Sequence, residues 1–456
     1  MSSAAPSRAV PAEVARWRDQ YESFRATLPP GPPDWLRALR AAAMDTFEEL
    51  GFPTTRQEDW QQTSVAAIAR ATFQRADPEP ALPAQDMLSA VTFGHAFDGH
   101  QLVFVNGRHA PSLSSAPMTD GVTIRSLREV LDREPHLVQA YLDKQAGGPG
   151  RPFTSLNSAF LDDGAVVLVP PGNVLAEPIH LVFFASAPDG VATVSHPRVL
   201  VVAGRASQVT IVESYGGARK GHLYFTNAVS EVVVEDGAVV DHYRLQRESS
   251  QAFHVGALAV RQGRASRFSS HVIALGAALS RIDIRQAFAG EGGECVLNGL
   301  FLAGGRQHTD VHTWVDHAQP HCTTRELYKG IVDDQAHGVF VGNILVRAGA
   351  QKTDAIQSNK NLVLSRDALV DSVPQLEILN DDVKCKHGST TGQLDPLALF
   401  YLRSRGIGEE AARELLTYAF ASDIVQKLGV EALRTGLTEH LQRRLPGPAD
   451  LKEAVV

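Results

Sequence analysis

The most constraining feature of this sequence is its long central stretch, residues 153–385, where short apolar runs follow one another with little helical periodicity between them. Val, Ile and Phe dominate these runs, which is typical of β-strands. The turns share a loose pattern of Gly or Asp, a small residue and then a new strand. Examples are Gly204-Arg205-Ala206, Gly237-Ala238, Gly263-Arg264-Ala265, Asp334-Gln335-Ala336 and Asp367-Ala368. Several recur about 30 residues apart, which is within the range of a solenoid repeat.

Many strands without intervening helices are compatible with a sandwich, a closed barrel or a β-helix. So long a stretch is uncommon for one sandwich, whereas a β-helix grows by adding coils that contact only their neighbours. Periodicity alone leaves the β-helix and the other all-β folds open. We favour a mainly β fold with a parallel β-helix core.

The N-terminal region, residues 1–152, is predicted to be mostly helical. Apolar residues recur at helical spacing in Val14, Trp17, Tyr21 and Phe24. A Pro/Gly cluster then breaks the chain, with Asp34 as the expected N-cap of a second helix. A short strand ends at the turn Asn106-Gly107, and a helix is expected over 126–144.

The C-terminal region, residues 393–456, is predicted to be a separate helical domain after a β-helix domain of residues 153–392. Asp395-Pro396 is a good helix start, with an acidic N-cap followed by proline at the first helical position. Two further helices are expected over 409–427 and 431–443.

Composition narrows the function classes. The formal net charge is −8, so there is no basic excess and we expect no nucleic-acid partner. Cys295, Cys322 and Cys385 lie far apart and have no metal-finger spacing, which fits a reducing compartment. No apolar run reaches the roughly 20 residues that span a bilayer, and the N-terminus lacks a secretory layout. We therefore expect a cytoplasmic protein without a membrane partner.

The usual catalytic signatures are missing from the sequence. It contains no phosphate-binding G-x-x-x-x-G-K-[ST], no G-x-G-x-x-G after a strand, no G-x-S-x-G and no H-E-x-x-H. We therefore predict no enzyme activity for this chain. If its function requires ATP, a partner must supply the ATPase.

A histidine-rich segment contains His308 and His312. On a strand these two residues share a face with Asp310, and because Val311 and Val315 mark the core face, the histidines should face outward. Two interpretations stay open: a polar outer face of the β-structure, or a transition-metal site, since imidazole suits iron, zinc or copper.

A second candidate site is Cys385 with His387. In an extended segment these two residues share a face, while Lys384 and Lys386 take the other and should favour the Cys385 thiolate. Two ligands never complete a tetrahedral metal site. The pair is therefore half of a site shared with a partner, or it has a structural role.

Together, several segments resemble the shared core of the SufB/SufD proteins of iron–sulfur cluster assembly. The resemblance is dense over about residues 153–424 and weaker upstream. The matching segments include Arg325-Glu326-Leu327-Tyr328-Lys329-Gly330-Ile331, Gln357-Ser358-Asn359-Lys360-Asn361-Leu362, Asp381-Asp382-Val383-Lys384-Cys385-Lys386-His387-Gly388 and Leu399-Phe400-Tyr401-Leu402-Arg403-Ser404-Arg405-Gly406-Ile407.

This resemblance implies a right-handed parallel β-helix core flanked by N-terminal and C-terminal helical domains. It further implies a SufB-like partner in a heterodimer, pairing of the chain with itself when isolated, and SufC-like ABC ATPases on the C-terminal helices. On those helices the candidate docking residues are Phe400, Leu402, Leu415 and Ile424. The resemblance implies no cofactor held stably by this chain alone, but a nascent iron–sulfur cluster shared with the SufB-like subunit.

Two positions favour SufD over SufB. Where SufB is expected to carry His-Glu-Ala, this chain has His387-Gly388-Ser389, and Asn359 aligns with the cluster-associated cysteine of SufB. By this match His387 is the interface histidine that helps build the cluster and contributes as a metal ligand. Cys385 lies next to it.

Two rival functions remain at this point. One is a β-helix enzyme acting on carbohydrate polymers, although such enzymes are usually exported and use clustered carboxylates or calcium. The other is a self-associating structural adaptor without metal chemistry. An assay on uronate polymers tests the first rival, and copurification with an ABC-type ATPase together with iron binding distinguishes the scaffold from the second.

Overall fold

A computed structural model describes most of the chain: residues 11–28, 31–75, 83, 85–92, 99–115, 119, 121–148, 150–186, 190–217 and 221–444. Its central feature is a solenoid made of two facing, mostly parallel sheets. None of the helices in the described part of the chain combines the length and the apolar composition that a bilayer crossing requires.

Each coil of the solenoid contributes one strand to each sheet. Successive strands of the chain therefore alternate between the two sheets, and neighbours within one sheet come from successive coils. The solenoid strands are β5 (Gly164–Val169), β6 (Ile179–Ala185), β7 (Thr193–Ser195), β8 (Arg198–Ala203), β9 (Gln208–Gly217), β10 (Tyr224–Val234), β11 (Val239–Gln246), β12 (Phe253–Gln262), β13 (Arg267–Ala274), β14 (Leu279–Phe288), β15 (Glu294–Ala303), β16 (His308–His317), β17 (Thr323–Val332), β18 (His337–Val346), β19 (Asp354–Val363), β20 (Leu369–Ile378) and β21 (Lys384–Gly392). The order in sheet A is β20-β18-β16-β14-β12-β10-β8-β5, and the order in sheet B is β21-β19-β17-β15-β13-β11-β9-β6. Three strands of the N-terminal region extend the sheets: β4 (Thr123–Ser126) follows β5 in sheet A, and β2 (His100–Val105) and then β3 (Arg108–His109) follow β6 in sheet B.

The register reproduces the repeat expected from the turns. Val239 pairs with Gln208 in the coil before it and with Arg267 in the coil after it, a step of about 30 residues. Ala206 and Asp334, both at predicted turns, have left-handed φ values of 56°, which lets the chain change direction between strands. The prediction of a parallel β-helix is confirmed.

Alternation places every second side chain in the lumen between the two sheets. Most of the lumen is filled by buried Val, Ile, Phe and Ala. Near the first coils, however, the lumen holds a charged cluster. The Glu213 carboxylate accepts hydrogen bonds from the Arg244 guanidinium at 2.8 Å, from Ser230 Oγ at 2.7 Å and from Tyr215 Oη at 2.8 Å, and all four side chains are buried.

The N-terminal region combines helices with short strands. Its elements are α1 (Ala12–Thr27), α2 (Asp34–Leu50), α3 (Ala66–Arg70), β1 (Gln74–Arg75), α4 (Gln85–Val91), β2 (His100–Val105), β3 (Arg108–His109), β4 (Thr123–Ser126), α5 (Leu127–Arg133), α6 (His136–Gln139) and α7 (Pro152–Ala159). Two predictions were wrong in detail. Pro33, not Asp34, is the cap residue of α2, and the helix expected over 126–144 is split into α5 and α6 next to Pro135, which cannot donate a backbone hydrogen bond.

This region covers the first coils from outside. Helix α1 buries Trp17 and Phe24 in a cluster that includes Phe225 and Val255 of sheet A. Short antiparallel strands close this end of both sheets, with β4 beside β5 and β3 beside β2. The N-terminal region is not fully separate from the solenoid, because its strand β2 pairs with β6 of sheet B. The domain boundaries after residues 152 and 392 stay predictions.

The three predicted C-terminal helices are present as α8 (Pro396–Ser404), α9 (Glu409–Val425) and α10 (Glu431–Arg444). The Asp395 side chain caps α8 by accepting from the Leu397 N–H at 2.9 Å, as expected. Helices α9 and α10 bury one face on the outside of sheet B, where Leu437 joins Tyr243 and Leu300 in one apolar cluster. Helix α8 has no buried residue.

Candidate functional site at the open end of the solenoid

The last coil leaves the solenoid open. Strand β20 pairs only with β18, and β21 pairs only with β19, so each has one backbone edge without a strand partner among the described residues. Most residues of β21 are exposed, in contrast to the buried strands of the earlier coils. We call β20, β21 and the lumen residues beneath them the open end. Unpaired edges of this kind are ready-made surfaces for pairing with another chain.

The lumen becomes polar as it approaches the open end. In sheet B, His387 of β21 stands in register above Gln357, which stands above Glu326 and then Leu297 of the preceding coils. Cys385, two residues earlier, is half-buried and packs against the apolar lumen, so alternation directs His387 to the same side. His387 itself is exposed at the mouth of the lumen.

A hydrogen-bond network joins the two sheets beside this column. Ser389 Oγ lies 2.7 Å from Ser372 Oγ, and Ser372 donates to Asn359 Oδ1 at 2.7 Å. Asn361 Nδ2 also donates to Asn359 Oδ1, at 2.5 Å, and Asn359 Nδ2 reaches the carbonyl of Tyr328 at 3.2 Å. Asn359 is therefore buried, and its amide oxygen and nitrogen both help to hold the last coils together.

Glu326 is an unusual occupant of the lumen. It is fully buried, and its Oε2 accepts a hydrogen bond from Gln357 Nε2 at 2.8 Å. Within the described residues no Lys, Arg or His lies within ion-pair distance of it. Burial raises the pKa of this carboxyl from 4.5 to about 7, and the hydrogen bond from Gln357 offsets only part of that rise. The group is therefore poised to exchange a proton near neutral pH.

The expectation that lysines activate Cys385 was wrong. Lys384 and Lys386 are exposed on the other face of the strand, and partial burial of the Cys385 thiol raises its pKa above the ordinary value. A hydrogen bond from the Ala355 backbone N–H only partly opposes this effect. Cys385 is therefore held mainly as a thiol in the isolated chain, and its role beside His387 stays a prediction.

The structure separates the other histidines from the open end. His308 and His312 do face away from the lumen, but His308 contacts the N-terminal region and His312 is buried beside Asp310. His308 Nε2 lies 2.8 Å from Thr63 Oγ1, and His312 Nε2 lies 3.0 Å from Asp310 Oδ1. Asp310 is completely buried and also accepts from Thr63 at 2.5 Å.

These contacts act as an anchor for the N-terminal region. Arg281 donates to Asp310 at 2.9 Å and to the carbonyl of Asp59 at 2.6 Å, and its guanidinium lies 3.7 Å from the centre of the Trp60 ring. Among the described residues, no group of three or more His, Cys, Asp or Glu side chains is arranged to hold a metal ion. A metal site at His308 and His312 stays a prediction, and the observed contacts favour a structural role.

Exposed apolar side chains concentrate near the open end. Of the nine large apolar residues that are exposed in the described chain, seven lie between residues 356 and 401: Ile356, Leu369, Ile378, Leu379, Leu397, Phe400 and Tyr401. Exposed apolar residues are typical of interaction sites where they form a contiguous surface. Of the predicted docking residues, Phe400 is 72% exposed, whereas Leu402 and Leu415 are half-buried.

Ile424 requires a correction. It is completely buried in the cluster between α9 and sheet B, so it stabilises the attachment of the C-terminal helices and presents no surface to a partner in this structure.

Sequence reasoning also missed Glu326, Gln357 and Asn361 as residues of the open end. The signal was available, because polar residues at 357, 359 and 361 alternate along one strand and therefore share the lumen face.

The protein is thus a parallel β-solenoid with one open end, where the lumen is polar and exposed apolar residues lie nearby in the chain. The comparisons with known proteins make this specific. Residues 183–420 match the family described as "SUF system FeS cluster assembly, SufBD core domain", and residues 13–181 match "SufBD protein N-terminal region".

Individual relatives agree with this match. A SufBD family iron–sulfur cluster assembly protein of Synechocystis, slr0076, is 36% identical over 410 residues, which cover 88% of this chain and 89% of the relative. SufD of Escherichia coli is 30% identical over 400 residues (88% and 90%), and SufD of Bacillus subtilis is 27% identical over 422 residues (91% and 94%). The chain belongs to the SufBD family of iron–sulfur cluster assembly scaffolds.

Proposed function

We propose that this chain is the SufD-like, non-enzymatic subunit of a cytoplasmic SufBCD complex. In this proposal its open end pairs with the corresponding end of a SufB-like subunit, and a nascent iron–sulfur cluster forms at the joint. The observation that carries the proposal is the coincidence of unpaired strand edges, an exposed apolar rim and His387 at one end of the molecule.

The role assigned to His387 follows from its position. An exposed imidazole at the mouth of the lumen can donate one ligand to iron, while the rest of the ligand set comes from the partner across the joint. The network through Ser389, Ser372 and Asn359 fixes the strand that carries it. The isolated chain holds no complete ligand set in this proposal, so the cluster is a product under assembly and not a resident cofactor.

Replacing His387 by alanine should reduce cluster formation by a reconstituted complex at least tenfold. The change removes a ligand from an exposed position, so folding of this subunit should be unaffected. The measurement is anaerobic reconstitution with SufB-like and SufC-like partners, followed by the visible spectrum. Lys386→Ala is the matched control, because Lys386 is exposed on the opposite face of the same strand. Wild-type yield from the His387→Ala complex would rule the assignment out.

The C-terminal helices are the proposed dock for a SufC-like ATPase. Helix α8 begins four residues after the end of β21 and carries Leu397, Phe400 and Tyr401 on its exposed surface. ATP-driven movement of an ATPase bound there would act directly on the neighbouring open end, and so open it to iron and sulfur.

Changing Phe400 to aspartate should weaken binding of the ATPase subunit at least tenfold, because buried aromatic anchors dominate such interfaces. Binding can be measured by calorimetry with the purified ATPase subunit. Val174→Asp is a suitable control, since Val174 is 65% exposed and lies among the first coils, far along the chain from α8. Equal affinity for both variants would contradict docking through α8.

A further inference from the structure

A buried lysine ties the C-terminal helices to the solenoid. Lys329 lies on the outer face of β17 and is the only buried lysine in the described part of the chain. Its ammonium donates to the carbonyl of Phe420 at 3.0 Å, pairs with Asp423 Oδ2 at 2.9 Å and lies 4.4 Å from the centre of the Phe420 ring. All three contacts are with α9, so one side chain joins that helix to sheet B.

The contact around Lys329 is otherwise mainly apolar. Ile331 and Leu362 of sheet B belong to one apolar cluster with Ile424 and Val425 of α9. Apolar packing is non-directional, so it holds the helix on the sheet without fixing its position along the sheet. A charge-assisted hydrogen bond is directional and does fix that position. Lys329 therefore sets where α9 lies relative to β17.

The contacts of Lys329 should keep β17 and α9 together when the helix moves. The hydrogen bond from Lys329 holds the pKa of Asp423 below its usual range, so the carboxylate is ionised and the two side chains form a full ion pair. A buried ammonium that loses its partners is strongly unfavourable. A shift of α9 that left Lys329 behind would carry that cost, whereas a shift that takes β17 along keeps the contacts.

From β17 a series of hydrogen bonds leads to the open end. The carbonyl of Tyr328, the residue before Lys329, accepts a hydrogen bond from Asn359 Nδ2 at 3.2 Å. Asn359 Oδ1 accepts from Ser372 Oγ of β20 at 2.7 Å, and Ser372 Oγ lies 2.7 Å from Ser389 Oγ of β21. Both strands of the open end are therefore connected to α9 through groups that are bonded or in contact at every step.

We propose that Lys329 couples the C-terminal helices to the open end, so that a partner that binds and moves the helices changes how firmly β20 and β21 are held. This inference rests on the proposed function, since the partner is the SufC-like ATPase docked on these helices. Because its ammonium is enclosed between β17 and α9, Lys329 is a positioning residue and belongs to neither binding surface.

Hydrogen–deuterium exchange, read by mass spectrometry on the full chain, tests the coupling. Exchange of the backbone amides of β20 and β21 is measured with and without saturating SufC-like ATPase and a non-hydrolysable ATP analogue. In the wild type the ATPase should change these exchange rates by about fivefold or more, the lower end of typical coupling between sites. In Lys329→Met the ATPase should bind as tightly as in the wild type, by calorimetry, but the change should fall below about twofold, because methionine keeps the packing and removes the ammonium.

Two further variants complete the test. Lys360→Met removes an exposed lysine that is next in register to Lys329 on the same face, and it should respond to the ATPase like the wild type. Asp423→Ala removes only the partly exposed carboxylate, so it should fold even if Lys329→Met does not. It should reduce the change in exchange to about half or less, because the ammonium keeps only its bond to the Phe420 carbonyl.

The possible results separate the coupling from the docking. If the ATPase does not bind the wild type, the proposed docking is wrong and the coupling is wrong with it. If the ATPase binds and leaves exchange in β20 and β21 unchanged, the docking stands and the coupling is wrong. If Lys329→Met shows the full wild-type change, or if Asp423→Ala does so where the methionine variant does not fold, Lys329 is not the coupling residue.

Discussion

Replacing Arg244 by methionine should lower the free energy of unfolding by about 3–5 kcal/mol, because it leaves a carboxylate buried without its cation. Arg244 and Glu213 are both in the lumen and completely buried, and two guanidinium nitrogens reach Glu213 Oε2 at 2.8 and 3.1 Å. Burial alone would raise the pKa of Glu213. The Arg244 charge and His242 hold it below its ordinary value, so the carboxylate is ionised and depends on the arginine.

Urea unfolding followed by circular dichroism measures this effect on the full chain. Arg261→Met is the control, since Arg261 is exposed on β12 and its loss should change the unfolding free energy by less than about 1 kcal/mol. The double variant Arg244→Met with Glu213→Leu removes both charges and should recover most of the loss. If the Arg244→Met variant has the same urea midpoint as the wild type, the ion pair between Arg244 and Glu213 does not stabilise the fold.

Glu326 by itself should lower the stability of the chain between pH 4.5 and 7, and it opposes buried histidines with lowered pKa values, such as His271 and His317, whose contribution to stability rises over this range. Its folded-state pKa of about 7 lies above the value of 4.5 for an unfolded chain. Between these values the unfolded state releases the proton and the folded state keeps it, so rising pH favours unfolding. This pKa shift corresponds to roughly 3 kcal/mol of unfolding free energy. The contribution is fully present below pH 4.5 and fully lost above pH 7.

Glu326→Gln removes this titration and keeps the shape of the side chain. Between pH 4.5 and 7 the melting temperature of the variant should therefore increase relative to that of the wild type. Glu294→Gln, at an exposed position of β15, should follow the wild-type curve. Parallel curves for wild type and Glu326→Gln would show that the buried carboxyl is not protonated in the folded state.

The fold was predictable from local sequence because a solenoid is built from local rules. The turn pattern at Gly204, Gly237 and Asp334 sets where each coil bends, and alternation along each strand separates the lumen from the outer face. The same alternation correctly placed His308 and His312 outside the lumen. It could not show that Thr63, which lies 245 residues before His308 in the chain, contacts that histidine.

The site was predictable only in part, for the same reason. The shared face of Cys385 and His387 follows from their spacing, but the burial that raises the pKa of Cys385 comes from the coil beneath. The column from His387 through Gln357 to Glu326 depends on the stacking of three coils, and its register is fixed only in the folded molecule. Ile424 was misassigned because helical spacing identifies an apolar face without saying what that face contacts.

The unequal ends of the solenoid limit how far such molecules can grow. Short antiparallel strands, β3 and β4, finish both sheets at one end, while β20 and β21 finish them bare at the other. A chain that can pair through one end only can bind one partner through its sheets. If the open ends of two such chains pair, β3 and β4 lie at the two outer ends of the complex, and we expect a closed pair instead of a growing filament.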